Sequence, residues 1–466
     1  MLHRAIRFAI LCLVELFYPR IEIRGRERVP ESGPVIFVLN HPNGLLDPLL
    51  LMVQIRRPIS FLAKSTFFAN PLGRLCMDAF GALPVFRQRD RGLAGGPRGN
   101  SLASNETTFA RCRGLLRQQK ALALFPEGTT HSETRLLPLR TGAARIALGA
   151  AAEADWQLDV RIVPVGLWYQ RKTQFRSAAL LVVGEPFGLA EYAATYAAQP
   201  RQAVQALTER IGASLATVVL QAENAELLTG MPMIAAWTTP GGPPLSLTQQ
   251  HERAATLLAA YRRLVATDPG RAAALAQQAR RYVRTLRTLG IDDPWDLELP
   301  AARPRRIIRQ IMFLLLSLPL ALAGSILSYG PYRLSGFVSP PMVGRHDTLL
   351  GTGKLIVGSA LVLLGWLLAA ILVGFFWGWL AAMLLFLAAP LLAYCALRWG
   401  EAWRELREAL ESNWIRARHR TLAQNLIARR QALAAQIVEA LQVAASPSPE
   451  MLSEPPIVAA QRPEAA

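Results

Sequence analysis

The spacing of apolar and polar positions changes character three times along this 466-residue chain. An opening run from Phe8 to Tyr18 is apolar except for Glu15 and follows Arg4 and Arg7, which imitates a signal peptide, but no small-residue cleavage site follows. Pro19 leads instead into Ile21-Glu-Ile-Arg, an alternation that predicts a first strand. Residues 1–20 therefore read as an uncleaved helix lying in or dipping into a membrane, and a run this short suits a core helix equally well.

From Ile21 to about Phe187, short apolar runs alternate with helical stretches. Val35 to Leu39, Ile59 to Ala63, Ala121 to Phe125, Ile162 to Leu167 and Leu180 to Val183 are each bounded by turn residues or charge. They read as buried strands, so residues 21–190 predict an α/β domain with a central, mostly parallel sheet flanked by helices. Arg89 to Asn105, rich in Gly, Arg and Ser, reads as a mobile surface loop. Residues 191–302 favour helices through their Ala, Arg, Leu and Gln content, with a break at Pro240-Gly-Gly-Pro-Pro, and name no chemistry.

The fourth regime is uncharged. Arg303-Pro-Arg-Arg precedes Gln310 to Tyr332, long enough to span a bilayer though interrupted by Pro319 and Gly324. A second run, Leu355 to Leu397, has about twice the length one span needs and predicts a helical hairpin turning near Gly374 to Gly378. Arg303 to Arg309 and the basic segment Arg398 to Arg420 both favour the cytoplasmic side, which requires an even number of crossings. Two crossings by 355–397, with 310–332 re-entrant or shallow, meet that rule better than a third span. Residues 303–400 thus form the membrane segments, 401–445 an amphipathic helical region around Thr421 to Leu441, and 446–466 a disordered tail.

Composition narrows the class. A formal net charge of +18 fits an anionic partner, either nucleic acid or a membrane surface. The positive mean hydropathy of +0.23 and the long uncharged runs select the membrane over nucleic acid. Cys12, Cys76, Cys112 and Cys395 form no Cys-x-x-Cys pair, so neither a disulfide framework nor a zinc site is expected.

Candidate chemistry sits where predicted strands end. Val35 to Leu39 runs into Asn40-His41-Pro42-Asn43-Gly44-Leu45-Leu46-Asp47. A His with an Asp shortly after it can form a dyad in which the carboxylate fixes the imidazole tautomer; the same residues also suit a helix-capping Asp beside an incidental His. Phe125-Pro-Glu-Gly-Thr-Thr follows another strand and offers backbone amides to an anion, or is simply a turn. Gly81-Ala-Leu-Pro-Val-Phe-Arg87 ends in an Arg that serves as a phosphate fork or as a solvated charge. Val163-Pro-Val-Gly-Leu reads as a strand wall.

In this order the four blocks resemble the glycerolipid acyltransferase family typified by 1-acylglycerol-3-phosphate acyltransferase, over roughly residues 20 to 190. The resemblance implies direct transfer without a cofactor or metal. His41 acts as general base on a glycerol hydroxyl, Asp47 orients it, and the hydroxyl attacks the thioester of acyl-CoA or acyl-carrier protein. It also implies that Arg87, Glu127, Gly128 and Thr129 bind or shape the site of a glycerophosphate acceptor, with Glu127 bonding a hydroxyl or holding the loop, since a carboxylate repels phosphate.

Two departures matter. The family has four residues between His and Asp, whereas here there are five, so the loop must bulge, which Gly44 permits. That spacing and the C-terminal membrane segments resemble the branch acylating glycerol 3-phosphate or dihydroxyacetone phosphate, with the lysophosphatidate enzymes as the alternative. Thr130 stands where the family has Arg, leaving Arg135, Arg140 and His131 as substitutes toward phosphate. The expectation is an integral membrane enzyme of phospholipid synthesis with its catalytic domain facing the cytoplasm. A Gly-x-Ser-x-Gly hydrolase elbow is missing, and a transporter or membrane scaffold leaves the strand-end motifs unexplained.

Overall fold

The computed structural model describes residues 2–86, 101–238, 245–289, 304–343, 347–418 and 420–445. Helix α1 (Leu2–Phe17) leads into strand β1 (Arg20–Arg24), as the alternation of Ile21 and Ile23 requires. Six further strands follow: β2 (Val35–Leu39), β3 (Ile59–Lys64), β4 (Leu83–Val85), β5 (Ala121–Leu124), β6 (Arg161–Tyr169) and β7 (Ala178–Val183). They form one sheet in the order β1-β7-β6-β2-β5-β3-β4, and only the β6–β7 pairing is antiparallel. Pro84 had hidden β4 from the pattern of apolar runs. It is tolerated because β4 is an edge strand, where one missing N–H breaks no second ladder.

The central strands are apolar at every position because both faces of the sheet are covered. Val35, Phe37 and Leu39 pack with α1, α2 (Leu46–Gln54) and α3 (Pro71–Ala79), while Ile36 and Val38 pack with α4 (Ser101–Arg117) and α5 (Gly142–Ala152). Short α6 (Ala193–Ala198) precedes α7 (Pro200–Val218), whose Leu207, Ile211 and Leu215 complete the second layer. Burying a strand on both faces removes about 1.5–3 kcal/mol worth of apolar side chain from water at each large residue, which fixes the register strongly. Helix α1 buries Val14 and Phe17 in the core, whereas Phe8 is 71% exposed. Of the loop expected over 89–105, residues up to 100 lie outside the described residues, and from Ser101 onward the chain is already helix α4.

The chain forms two compact units. The first holds Met1–Leu228, Ser246–Thr248 and Gln310–Trp403; the second holds Thr229–Leu245, Gln249–Arg309 and Arg404–Ala466. Helices α8 (Ala225–Trp237), α9 (Leu247–Thr267) and α10 (Pro269–Thr288) lie within 191–302, and the Pro240-Gly-Gly-Pro-Pro break lies outside the described residues. In the second unit Trp237 meets Tyr282 edge-on at 5.2 Å, and these pack with Leu426, Leu433 and Ile437.

Helices α11 (Pro304–Val343), α12 (Asp347–Trp377) and α13 (Trp379–Arg418) contain three segments long and apolar enough to cross a membrane. Their outward faces are apolar, with Leu316 76% and Phe375 83% exposed, a surface that matches lipid and not water. Helix α14 (Arg420–Ala445) follows, and the tail from 446 lies outside the described residues. The turn expected near Gly374 to Gly378 falls at Gly378, in the left-handed region with φ 85°. Two boundaries differ from expectation. Helix α13 continues through Leu397 into the basic segment as one helix, and α11 is helical through Pro319 and Gly324 with no break.

Contacts along α11 have a definite sense. Its first arm sets Leu314 against Trp399 and Gly324 against Leu392 of α13; its second sets Ser328, Pro331 and Ser335 against Trp366, Gly365 and Gly358 of α12. Residue numbers rise along α11 and fall along the partner in both arms, so each arm is antiparallel to the helix it touches.

Candidate active site

Strands β2, β5 and β6 are parallel neighbours, so their carboxyl ends open on one edge of the sheet, the usual place for a ligand in such folds. Asn40, one residue past β2, continues the pairing with its side chain: its amide donates to the Leu167 carbonyl at 3.1 Å and its carbonyl accepts from Leu167 N–H at 2.7 Å. The next residue, His41, is thereby held at the edge.

Between His41 and Asp47 the chain makes a tight turn. Gly44 is left-handed at φ 56°, which accommodates the fifth residue of the spacing. Leu46 and Asp47 N–H groups return to the carbonyls of Asn43 and Gly44, and α2 begins. Asp47 in its first turn points back across the loop. Its fully buried carboxylate accepts from His41 Nδ1 at 2.8 Å and from Asn43 N–H at 2.8 Å on one oxygen, and from the Tyr169 hydroxyl at 2.6 Å on the other. Three donors offset the cost of burying that charge. With Nδ1–H committed to Asp47, the imidazole keeps Nε2 as the nitrogen able to take up a proton. The ring of Phe125 stacks on the imidazole at 4.0 Å, and the His41 side chain is 13% exposed.

The Phe125-Pro-Glu-Gly-Thr loop reaches the same place from β5. Glu127 is buried, and its carboxylate accepts from His41 N–H at 3.3 Å, from Leu137 N–H at 2.8 Å and from Nε2 of His131. His131 N–H in turn donates to the His41 carbonyl at 3.2 Å. Glu127 therefore ties three backbone segments together. A concave surface bounded by Pro34, Gln119 and Arg161 lies at the amino ends of these strands, away from His41.

The residues of this site fall in a region that resembles known proteins. The sequence profile of the Acyltransferase family matches residues 20–168, which spans all four motif blocks. Glycerol-3-phosphate O-acyltransferase 2 of Saccharomyces cerevisiae is 31% identical over 278 residues, covering 55% of this chain and 36% of the relative. The 1-acyl-sn-glycerol-3-phosphate acyltransferase alpha of Homo sapiens is 27% identical over 164 residues, covering 35% of this chain and 50% of the relative.

The chain carries a glycerolipid acyltransferase domain. It spans less than half the length of the first curated relatives it matches, at 44%, 36% and 38% of each. A crystal structure of a 1-acyl-sn-glycerophosphate acyltransferase from Thermotoga maritima is also similar, at 17% identity and a TM-score of 0.32, over 46% of this chain and 81% of that one.

The acyltransferase domain treats the other expected residues unequally. Arg87 lies outside the described residues. Gly128 and Thr129 follow Glu127 in the loop, both half-buried. Arg140 is drawn to this loop. Its N–H donates to Pro126 O at 2.7 Å, and its side chain lies over Gly128, where a Cβ would meet Arg140 Cδ at 2.5 Å. Arg135 is not drawn in; it is 63% exposed and faces Glu223 at 3.5 Å. His131 has its Nε2 on Glu127 and accepts Glu133 N–H at Nδ1, so both ring nitrogens are already engaged, contrary to its expected phosphate role. Metal-ligand clusters are missing among the described residues.

Sequence reasoning missed Tyr169 and Tyr18. Tyr169 shares the face of Val163, Val165 and Leu167, so extending the strand wall by one alternation finds it. Burial and the Asp47 charge raise its pKa well above 10.0, keeping it a donor. Tyr18 accepts from the Asn43 side-chain amide at 2.8 Å and donates to Lys172 O at 2.6 Å; burial, then Asp47, raises its pKa too. Nothing in the sequence near Tyr18 announces that contact, which spans 154 residues.

Proposed function

We propose that this protein transfers a fatty acyl group from acyl-CoA or acyl-carrier protein to the hydroxyl of glycerol 3-phosphate or dihydroxyacetone phosphate, at a membrane, in phosphatidic acid synthesis. The observation carrying this reading is the buried Asp47 carboxylate bonded to His41 Nδ1 at the carboxyl edge of the sheet. His41 Nε2 takes the proton of the acceptor hydroxyl as its oxygen attacks the thioester carbonyl. Asp47 steadies the imidazolium that results. The tetrahedral intermediate collapses, the carbon–sulfur bond breaks, and the thiolate recovers the proton from His41.

The acceptor reading draws on coverage. The two yeast proteins named as glycerol-3-phosphate acyltransferases align over 55% and 46% of this chain, against 29–35% for those named as 1-acylglycerol-3-phosphate acyltransferases. The second reading, acylation of 1-acylglycerol 3-phosphate, keeps the support of that shorter group. Purified protein incubated with acyl-CoA and each of the three acceptors distinguishes them by release of free CoA thiol. General-base loss in His41→Ala is expected to cost about 10²–10⁴-fold. Folded His41→Ala at wild-type rate would reject the mechanism.

For the membrane we propose that α11 is re-entrant or shallow while α12 and α13 cross. The basic segments at 303–309 and 398–420 both favour the cytoplasmic side, which supports an even number of crossings. That path sets Arg305, Arg306 and Arg309 on the same side as Arg398 and Arg404, in keeping with positive charge facing the cytoplasm. Single cysteines at 305 and 343 should react with an impermeant thiol reagent from the same side of sealed vesicles; opposite sides would establish a third crossing.

A further inference from the structure

The catalytic loop has a support that lies some three hundred residues away in sequence. Helix α2 starts at Leu46 with Leu45 as its N-cap, and Leu45 has no side-chain oxygen to meet the exposed N–H groups of the first turn. The bulge at Gly44 adds to the difficulty, for it turns the peptide groups of Asn43 and Leu45 out of any regular ladder in a buried place. Thr352, in the second turn of α12, meets these two peptide groups. Its Oγ1 accepts Leu45 N–H at 3.2 Å and donates to Asn43 O at 3.4 Å. Thr352 is itself buried.

The neighbouring residues fit the same contact. A Cβ on Gly351 would stand 2.6 Å from Asn43 Oδ1, 3.0 Å from Leu46 Cδ1 and 3.2 Å from Lys172 O, so only glycine lets α12 approach this closely. Asn43 cannot swing aside, because its amide is bonded to Tyr18 and to Lys172 O at 3.0 Å. Thr348 O and Leu349 Cδ2 lie against Gly44 in turn.

We propose that Thr352 is a positioning residue for the His41–Asp47 pair, its hydroxyl bridging the Asn43 carbonyl and the Leu45 N–H on either side of the Gly44 bulge, so that a membrane helix completes the geometry of the acyl-transfer site. The assignment of His41 as base rests on the function proposed above; the hydroxyl's hold on the loop does not. Losing the hydroxyl frees Leu45 N–H and loosens the turn that aims Asp47 at Nδ1. A side chain that never touches substrate should alter turnover without altering substrate affinity.

The test uses the full chain in phospholipid vesicles, comparing wild type with Thr352→Val, which keeps the shape, and Thr352→Ser, which keeps the hydroxyl. Thr352→Val is expected to lower kcat about tenfold with KM for acyl-CoA and acceptor unchanged, and Thr352→Ser to restore most of it. Hydrogen exchange of a peptide covering 42–48 should quicken about tenfold in Thr352→Val and not in Thr352→Ser. Equal exchange in all three proteins overturns the proposal, as does a serine variant that behaves like valine. Altered exchange with no thioester-dependent activity in the wild type would leave the support standing and reject the function. Should Thr352→Val fail to accumulate, the wild-type Leu45 amide decides: protection supports the Thr352 contact, and free exchange overturns it.

Discussion

The Tyr169 hydroxyl and the Asp47 carboxylate are joined at 2.6 Å, on the oxygen that His41 leaves open. The dyad is therefore a triad of side chains from β6, α2 and the end of β2. Replacing Tyr169 by Phe removes a bond to a charged group, worth about 1.5–3 kcal/mol, and strands one carboxylate oxygen in the interior. Tyr169→Phe is expected to lower kcat by about tenfold or more with little change in either KM. Steady-state kinetics at saturating acyl donor give the answer, and an unchanged kcat would remove Tyr169 from the mechanism.

Alkaline pH supplies a second test through the same side chain. Tyr169 and Tyr18 have folded pKa values raised above 10.0 by burial and by Asp47. A raised folded pKa contributes stability that is complete below the unfolded value and lost as pH climbs beyond it. Thermal midpoints in detergent should thus hold level up to about pH 10 and fall above it, while Tyr169→Phe shows a shallower fall. Parallel curves would deny the Tyr169 contribution.

Glu127 is predicted to matter as a tie and not as an acid or base. A glutamine keeps one acceptor oxygen where the carboxylate serves His41 N–H, Leu137 N–H and His131. Glu127→Gln should destabilise the protein by about 1–3 kcal/mol, seen as an earlier melting transition. Loss of turnover without loss of stability would point to a direct chemical role instead.

Arg140 and Arg135, equivalent guesses in the sequence, separate in space. Arg140 lies on the Gly128 loop and Arg135 faces outward to Glu223. If phosphate is bound at this loop, Arg140→Ala should raise KM for glycerol 3-phosphate about tenfold while Arg135→Ala changes it less than twofold, exposed pairs of that kind being worth at most about 1 kcal/mol. Equal effects would move the phosphate site elsewhere.

The sequence exposes what depends on period and order. Buried parallel strands betray themselves by unbroken apolar runs, and strand-end motifs by their succession, so the sheet, the His41–Asp47 pair and the Glu127 loop are all legible. Contacts between distant segments are not. Tyr18, Tyr169 and Thr352 bear on Asp47 or its loop from three separate elements, and no local pattern links them. Strand β4 escapes for another reason, since Pro84 argues against a strand until its edge position is known. The loop-facing nitrogens of His131 show the limit of reading a residue by type, for its neighbours claim them first.

The bond from Thr352 to Leu45 also orders events in time. Protein synthesis delivers His41 and Asp47 long before residue 352 leaves the ribosome. Until then the Leu45 N–H lacks the Thr352 hydroxyl. On the proposed function, a nascent chain that already carries His41 and Asp47 would still lack this support, and acyl transfer would begin only after α12 has packed against the loop.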